Sequence, residues 1–194
     1  MLSAVQTTTK APTSASSTGG DLAWSNPTNV YTDNGSSATI NFFAGGQMGG
    51  PLLFSDFGFD IPTNAVIEGV YITIDGGFTS VYGTINLTSD LGSGTAKDIT
   101  AEYGGSEDLW GIALTPTVVN DANFGGTIDI SDESGGDGSG SIDYIEITIY
   151  WRYDITATPT DVPTRYLYKV FTNNGEYLGN LPKVTSEFAF TQDI

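Results

Sequence analysis

The chain contains neither cysteine nor histidine. Without cysteine it can form no disulfide framework, and it offers neither a thiol nucleophile nor a thiolate ligand for a metal. Without histidine it lacks the commonest general base and the usual ligands of catalytic zinc, and it cannot form a Ser-His-Asp triad. Catalysis would have to rely on carboxylates, so we predict that the protein is not an enzyme.

Basic residues are scarce as well. The 194 residues include 6 Lys and Arg against 23 Asp and Glu, which gives a formal net charge of −17. Residues 1–150 contain only Lys10 and Lys97 as basic side chains. Nucleic-acid binding needs clustered Lys and Arg at the phosphates, and an anionic bilayer surface would repel such a chain. We therefore predict no nucleic-acid partner.

Long apolar runs are missing too. No stretch approaches the roughly 18 apolar residues that a membrane span requires, so no membrane insertion is expected. The first 20 residues have no apolar core of the kind found in a secretory signal.

The apolar residues that are present follow the period of strands. No window keeps a helical apolar period, whereas several segments alternate every second residue, most clearly residues 66–75 and 142–153. Turn-forming residues separate these segments at regular intervals. The sequence therefore predicts an all-β fold, an antiparallel two-sheet β-sandwich of jelly-roll type with a C-terminal β-hairpin extension.

Residues 54–75 are expected to supply two core strands joined by a tight corner. Residues 78–88 are then predicted to return as a hairpin partner across the turn at 75–77. Further short strands are predicted at 30–31 and 108–114.

The chain is expected to contain four regions. These are a flexible Ser/Thr-rich N-terminal arm at 1–20, a β-sandwich domain at 21–153, an extended linker at 154–164 and a C-terminal hairpin and assembly segment at 165–194. The arm is interpreted as a disordered tail, and the alternative is an arm that orders on a neighbouring subunit.

The C-terminal segment has the strongest short-range hairpin signal, because Asn174-Gly175 lies between two aromatic-rich strands. Some thirty residues cannot build a core of their own, so this segment must pair with its sandwich, with another subunit or with further sequence. The predicted interface residues are Tyr166, Tyr168, Val170, Phe171, Tyr177, Leu178, Phe188 and Phe190.

Short segments spread over residues 22–194 point to a known family. In the sandwich they are WSNP at 24–27, FGFDIP at 57–62, IEGV at 67–70, LWG at 109–111, DANFG at 121–125 and IDYIEITIY at 142–150. In the hairpin they are YLYKVF at 166–171, GEYLG at 175–179 and FAFTQDI at 188–194. In this order the chain resembles a β-sandwich module of structural proteins from the tails of long-tailed bacteriophages (siphophages). The hairpin is similar to the opening strands of tail-tip and tail-hub proteins.

The resemblance implies a non-enzymatic virion structural protein, a tail or tail-tip component. Its partners would be copies of itself and other virion proteins, and it would assemble by strand pairing of its terminal segments. The implied location is the virion tail, or otherwise outside the cell.

One ion site is predicted from the residues. Asp132, Asp137 and Asp143 lie in or beside a loop without apolar residues and are candidate Ca²⁺ ligands, since Ca²⁺ prefers carboxylate oxygens. Their spacing does not match the EF-hand, and the alternative is a loop that is simply solvated. No other cofactor is predicted.

Four tyrosines are candidates for glycan binding, because sugars stack on exposed aromatic faces. They are Tyr71, Tyr82, Tyr144 and Tyr150. The alternative is that they pack in the core, under loops or at an interface. If they bind sugar, the protein is a carbohydrate-binding module that takes part in attachment to a host surface.

Overall fold

Strands are the main regular structure of the computed structural model, which describes residues 4–43, 46–89, 92–94, 97–99, 103–132, 137–154, 169–171 and 177–180. The chain divides into two units, Met1–Ala157 and Thr158–Ile194. A 3-10 helix at Pro27–Val30 and helix α1 at Pro116–Val119 are each a single turn. The strands are β1 Gln6–Lys10, β2 Ser14–Ser17, β3 Ala38–Asn41, β4 Leu52–Ser55, β5 Ala65–Thr79, β6 Val81–Ser89, β7 Gly92–Ser93, β8 Lys97–Asp98, β9 Gly104–Gly105, β10 Gly125–Asp132, β11 Ser139–Tyr153, β12 Lys169–Phe171 and β13 Tyr177–Asn180.

The first unit is built from two antiparallel sheets. Sheet 1 has the order β1-β11-β5-β9, with β3 also paired to β11. Sheet 2 has the order β2-β4-β10-β6-β7, with β8 also paired to β6. The apolar faces of the two sheets form one buried core. This confirms the predicted all-β, two-sheet sandwich, while the jelly-roll assignment stays a prediction.

The centre of sheet 1 is the pairing of β5 with β11, two strands of 15 residues each. Val70 lies opposite Ile149, and Ile72 lies opposite Ile147. All four side chains are fully buried, whereas Tyr71 between them is half-buried on the outer face. The two-residue alternation in the sequence therefore separates core residues from outer-face residues, as the pleat of a strand requires.

The segment at 54–75 joins the two sheets, because β4 lies in sheet 2 and β5 lies in sheet 1. Its phenylalanines form a buried aromatic row between these strands. The ring centroids of Phe54 and Phe57 are 6.3 Å apart, those of Phe57 and Phe59 are 5.6 Å apart, and Phe59 lies 6.1 Å from Phe124. Such offset and edge-on contacts add to the hydrophobic gain from burying the rings.

The hairpin predicted at 75–77 is wrong. Strand β5 continues through Gly76 and Gly77 opposite β11, and the chain turns only at Ser80, which has φ 53°. Strand β6 then pairs with β10 in the other sheet. The glycine at 76 serves a close approach between strands, because a Cβ there would lie 2.2 Å from the carbonyl oxygen of Ser141.

The prediction of a flexible arm at 1–20 is also wrong where strands form. Strand β1 pairs with β11 in sheet 1, and β2 pairs with β4 in sheet 2. The indole N–H of Trp151 donates to Thr8 Oγ1 at 3.0 Å, and the amide of Ala15 donates to the Tyr31 hydroxyl at 2.7 Å. Ser/Thr-rich sequence suits the solvent-facing edge of a sheet as well as a disordered tail, and composition alone did not separate the two.

Two other predicted strands are wrong. Residues 30–31 lie at the end of the 3-10 helix, and residues 108–114 form turns. In the second case Trp110 has φ 56° and its amide donates to Asp108 Oδ1 at 2.7 Å. Its indole is 1% exposed and donates to the carbonyl oxygen of Val70 at 3.0 Å. In this segment Trp110 and Leu114 are buried, whereas Leu109 is exposed, so the turn places one indole in the core.

In the second unit β12 and β13 pair antiparallel as a sheet of two strands, with Val170 opposite Gly179. Four predicted interface residues lie on these strands: Val170, Phe171, Tyr177 and Leu178. The other four, Tyr166, Tyr168, Phe188 and Phe190, lie outside the described residues, as does most of the predicted linker.

Candidate functional site

Three carboxylates from distant parts of the chain meet at one end of sheet 1. One side-chain oxygen from each of Asp33, Asp75 and Asp143 lies within 4.8 Å of the other two. We call these three residues the acidic group. Asp33 and Asp75 are exposed and Asp143 is half-buried. Three oxygens at this spacing form an arrangement that can coordinate a hard cation.

A β-bulge positions the third member of this group. On β11, Ile142 lies opposite Gly76 and Tyr144 lies opposite Asp75, so Asp143 is an extra residue without a partner on β5. A bulge bends its strand and changes the direction in which a side chain points. The irregularity therefore lies at the point where β5 and β11 each contribute a carboxylate to the group.

The carboxylate of Asp143 has one satisfied and one unsatisfied oxygen. The amide of Gly35 donates to its Oδ2 at 2.8 Å. Its Oδ1 is buried and has no hydrogen-bond partner among the described residues. The negative charge of Asp33 also affects Tyr144. The pKa of Tyr144 is raised by burial, by Glu146 and by the charge of Asp33.

The ion set predicted from the sequence is only partly brought together. Asp143 belongs to the acidic group, whereas Asp137 is exposed and lies outside it. The side chain of Asp132 lies outside the described residues. Sequence reasoning missed Asp33 and Asp75, because only the folded chain brings the turn after the 3-10 helix and Asp75 of β5 beside Asp143 of β11. The one local signal was the Asp33-Asn34-Gly35 turn.

The basic residues of the sandwich do not neutralise this group. Lys97 Nζ lies 2.7 Å from Asp108 Oδ2, and Arg152 Nε lies 2.5 Å from Glu68 Oε1. These are the ion pairs among the residues that the structure describes. Burial would raise the pKa of Asp108, but hydrogen bonds from Lys97 and the Trp110 amide, together with the charge of Lys97, lower it below its ordinary value.

A cleft of about 510 Å³ lies beside β6 and β10 in sheet 2. Tyr82, which is 63% exposed, lies opposite Ser131, and Thr84 lies opposite Asp129. Met48 completes this part of the lining. The cleft thus combines an exposed aromatic ring with two hydroxyls and one carboxylate, the groups that commonly stack on and hydrogen-bond to a sugar.

The other three candidate tyrosines are not near this cleft. Tyr71, Tyr144 and Tyr150 lie half-buried on the outer face of sheet 1, where Tyr71 is opposite Thr148 on β11. Burial and the neighbouring Tyr71 raise the pKa of Tyr103. The structure therefore separates Tyr82 from the remaining tyrosines, and the four do not form one surface.

Comparisons with known proteins give no identification. No protein-family model matches the chain, and no curated protein or solved structure matches it either. Among the described residues, neither of the two helices has the length and apolar character that crossing a membrane would require.

Proposed function

We propose that the protein is a non-enzymatic structural component of a virion, a tail or tail-tip protein, which assembles with copies of itself through its C-terminal hairpin. The observation that most favours assembly is the two-stranded sheet of β12 and β13. Among the described residues this sheet has two strands. A two-stranded sheet alone is marginally stable in water, and the edge of a sheet offers N–H and C=O groups to a further strand. A strand added from another subunit would supply the missing hydrogen bonds.

The pairing of the N-terminal strands limits the proposed assembly contact to the C-terminal unit. Strands β1 and β2 are already paired within the sandwich, so assembly through exchange of both chain ends is not needed. The C-terminal unit is the segment that gains most from a partner.

Support for the virion setting comes from the order of the short segments that resemble siphophage tail proteins, since no comparison adds to it. The neighbouring genes test the setting. Genes for other tail proteins on both sides would support it, and a neighbourhood of unrelated metabolic genes would contradict it.

Oligomerisation is tested with the full chain by size-exclusion chromatography with light scattering over a range of concentrations. The variant Val170→Pro removes a backbone donor and fixes φ within β12, so it should prevent strand addition. Val5→Pro makes the same change at an exposed position before β1 and is the matched control. We expect the wild type and Val5→Pro to form oligomers and Val170→Pro to be a monomer.

Tryptophan fluorescence shows in the same experiment whether the sandwich remains folded in each variant. All three tryptophans, Trp24, Trp110 and Trp151, lie in the first unit, so their emission reports on the sandwich and not on the hairpin. A wild type that remains monomeric at every concentration would contradict assembly. An oligomer that persists unchanged in Val170→Pro would show that the hairpin is not the contact.

A second candidate function is carbohydrate binding for attachment to a host surface. The specific observation in its favour is the cleft with Tyr82 and Asp129, because an exposed ring beside a carboxylate and hydroxyls suits a sugar. On a glycan array we expect the wild type to bind and Tyr82→Ala to lose binding. Tyr150→Ala, on the other sheet, is the matched control and should bind normally. An array without any signal would eliminate this candidate.

A further inference from the structure

We infer that the cleft beside β6 and β10 in sheet 2 selects glycans that carry free amino groups over neutral and acidic glycans. This selectivity rests on the carbohydrate-binding function proposed above and adds the chemical class of the sugar. It depends neither on the virion setting nor on the acidic group of sheet 1.

Four polar side chains of the cleft share the outer face of sheet 2. Tyr82 lies opposite Ser131, and Thr84 lies opposite Asp129. Ile130 is buried in the core, so the alternation along β10 turns its two neighbours outward. Tyr82 and Asp129 are diagonal neighbours on paired strands, a position in which residues are typically about 7–8 Å apart. A sugar ring stacked on Tyr82 can therefore direct one of its substituents at the carboxylate of Asp129.

The cleft has the size and the exposed surface that a sugar needs. Its volume is about 510 Å³, within the range of about 300–1,000 Å³ that is usual for ligand sites. Tyr82 is 63% exposed and Met48 is 64% exposed, so both offer apolar surface to a ligand. The face of a tyrosine ring packs against the apolar face of a sugar, and it also attracts a cation.

The carboxylate in this cleft is not neutralised by the protein. Among the residues that the structure describes, the Asp129 side chain has no hydrogen bond and no ion pair. Lys97, on the adjacent strand β8, is engaged elsewhere, because its Nζ lies 2.7 Å from Asp108 Oδ2 and 5.0 Å from the centre of the Trp110 ring. An ammonium group on the ligand would give Asp129 a charge-assisted hydrogen bond, which a neutral hydroxyl or acetamide cannot match.

The charge of the whole chain acts in the same direction. With 6 basic and 23 acidic residues, the chain has a formal net charge of −17. The field of such a protein attracts cations and repels anions, and salt screens it. Glycans with carboxylate, sulfate or phosphate groups are therefore disfavoured, whereas glycans with ammonium groups gain both from the field and from Asp129.

The test uses the full chain and two glucosamine oligomers of equal length, one with free amino groups and one fully N-acetylated. Both have the same ring and linkage, so their charge is the main difference. Isothermal calorimetry is carried out at low ionic strength and mildly acidic pH, where the amines are charged. We expect the free-amino oligomer to bind about three- to tenfold more tightly, and the preference should disappear in about 1 M salt.

Three variants assign the preference to the cleft. Asp129→Asn keeps the shape of the side chain and removes its charge, so it should bind the acetylated oligomer normally and lose most of the preference. Tyr82→Ala removes the stacking surface and should bind neither oligomer. Asp60→Asn is the matched control, because it removes one negative charge at an exposed position outside the cleft, and it should keep the full preference.

The outcomes separate this selectivity from the function on which it rests. Equal affinities of the wild type for the two oligomers would overturn the selectivity and leave carbohydrate binding standing. An equal loss of preference in Asp129→Asn and Asp60→Asn would also overturn it, because general attraction to an acidic protein would then explain the result. If neither oligomer binds, carbohydrate binding at this cleft fails, and the selectivity fails with it.

Discussion

The docking of the N-terminal strand can be tested at one hydrogen bond. The indole N–H of Trp151 donates to Thr8 Oγ1 at 3.0 Å, and this bond joins β1 to the core strand β11. The variant Thr8→Val keeps the branched shape and the strand preference of the side chain, but it replaces the acceptor with a methyl group. We expect it to destabilise the folded protein by leaving the indole donor unpaired.

The expected magnitude follows from the burial of the donor. A typical hydrogen bond contributes about 0.5–1.5 kcal/mol net, and a buried group left unpaired costs about 1–3 kcal/mol. Trp151 is 9% exposed, so water can replace the lost acceptor only in part. We therefore expect a loss of about 1–2 kcal/mol in the free energy of unfolding, a change of roughly five- to thirtyfold in the folding equilibrium.

Thr7→Val is the matched control, because Thr7 is the adjacent residue, is exposed and lies opposite Tyr150 on the outer face. Its effect should stay within about 0.5 kcal/mol. Thr8→Ser restores an acceptor and should recover part of the loss. The measurement is urea unfolding followed by far-UV circular dichroism, with unchanged m-values as the condition for comparing variants.

Hydrogen exchange gives a second readout on the wild type. Amides in Gln6–Lys10 that are paired with β11 should exchange slowly, whereas those of a free arm would exchange almost at once. Equal stability of Thr8→Val and Thr7→Val, together with unprotected amides in this strand, would refute the docking of β1. The original prediction of a flexible N-terminal arm would then hold.

Two further predictions concern the turn region around β9. Gly104 has φ 102°, and a Cβ there would lie 2.1 Å from the carbonyl oxygen of Val70. In thermal unfolding, Gly104→Ala should therefore lower the free energy of unfolding by about 2 kcal/mol or more. Gly105→Ala, whose Cβ meets nothing within 4 Å, should be nearly neutral. Equal effects of the two substitutions would contradict the close approach. Because the pKa of Asp108 is lowered by Lys97, its ion pair stabilises the fold above the ordinary carboxyl value of 3.8 and is lost as pH falls through the lowered value. The stability difference between wild type and Asp108→Asn should therefore shrink in acid, and a difference that does not change with pH would contradict this role.

The class of fold could be predicted because the relevant signal is local. In β11, Ile145, Ile147 and Ile149 alternate with polar residues, and each of these isoleucines is fully buried. The pleat of a strand converts that alternation directly into an inner and an outer face. Residues 54–75 were expected to supply two core strands joined by a corner. The phenylalanines at 54, 57 and 59 are buried and form the aromatic row between the sheets, although only Phe54 lies on a strand.

Strand pairing could not be predicted in the same way, because it depends on non-local competition. The glycines at 76 and 77 have the composition of a hairpin turn, yet β11 offers β5 a partner along its whole length. Continuing the strand satisfies more backbone hydrogen bonds than turning would, so the chain turns later, at Ser80. The N-terminal Ser/Thr segment was misassigned for a related reason, since the open edges that it covers exist only once both sheets have formed.

The acidic group shows why a cluster of carboxylates cannot be predicted from the spacing of Asp residues in the sequence. The sequence places Asp143 near Asp137, and a loop of Gly, Ser and Asp suggested that neighbours in sequence would share one ion. In the fold, the bulge removes Asp143 from the regular register of β11, and its carboxylate meets Asp33 and Asp75 instead. The register between β11 and β5 shifts at this bulge and again between Tyr150 and Trp151, so a strict two-residue alternation does not hold along the whole strand. Spacing in the sequence therefore cannot identify such a group, because its members come from β5, from β11 and from a turn that meet only in the folded chain.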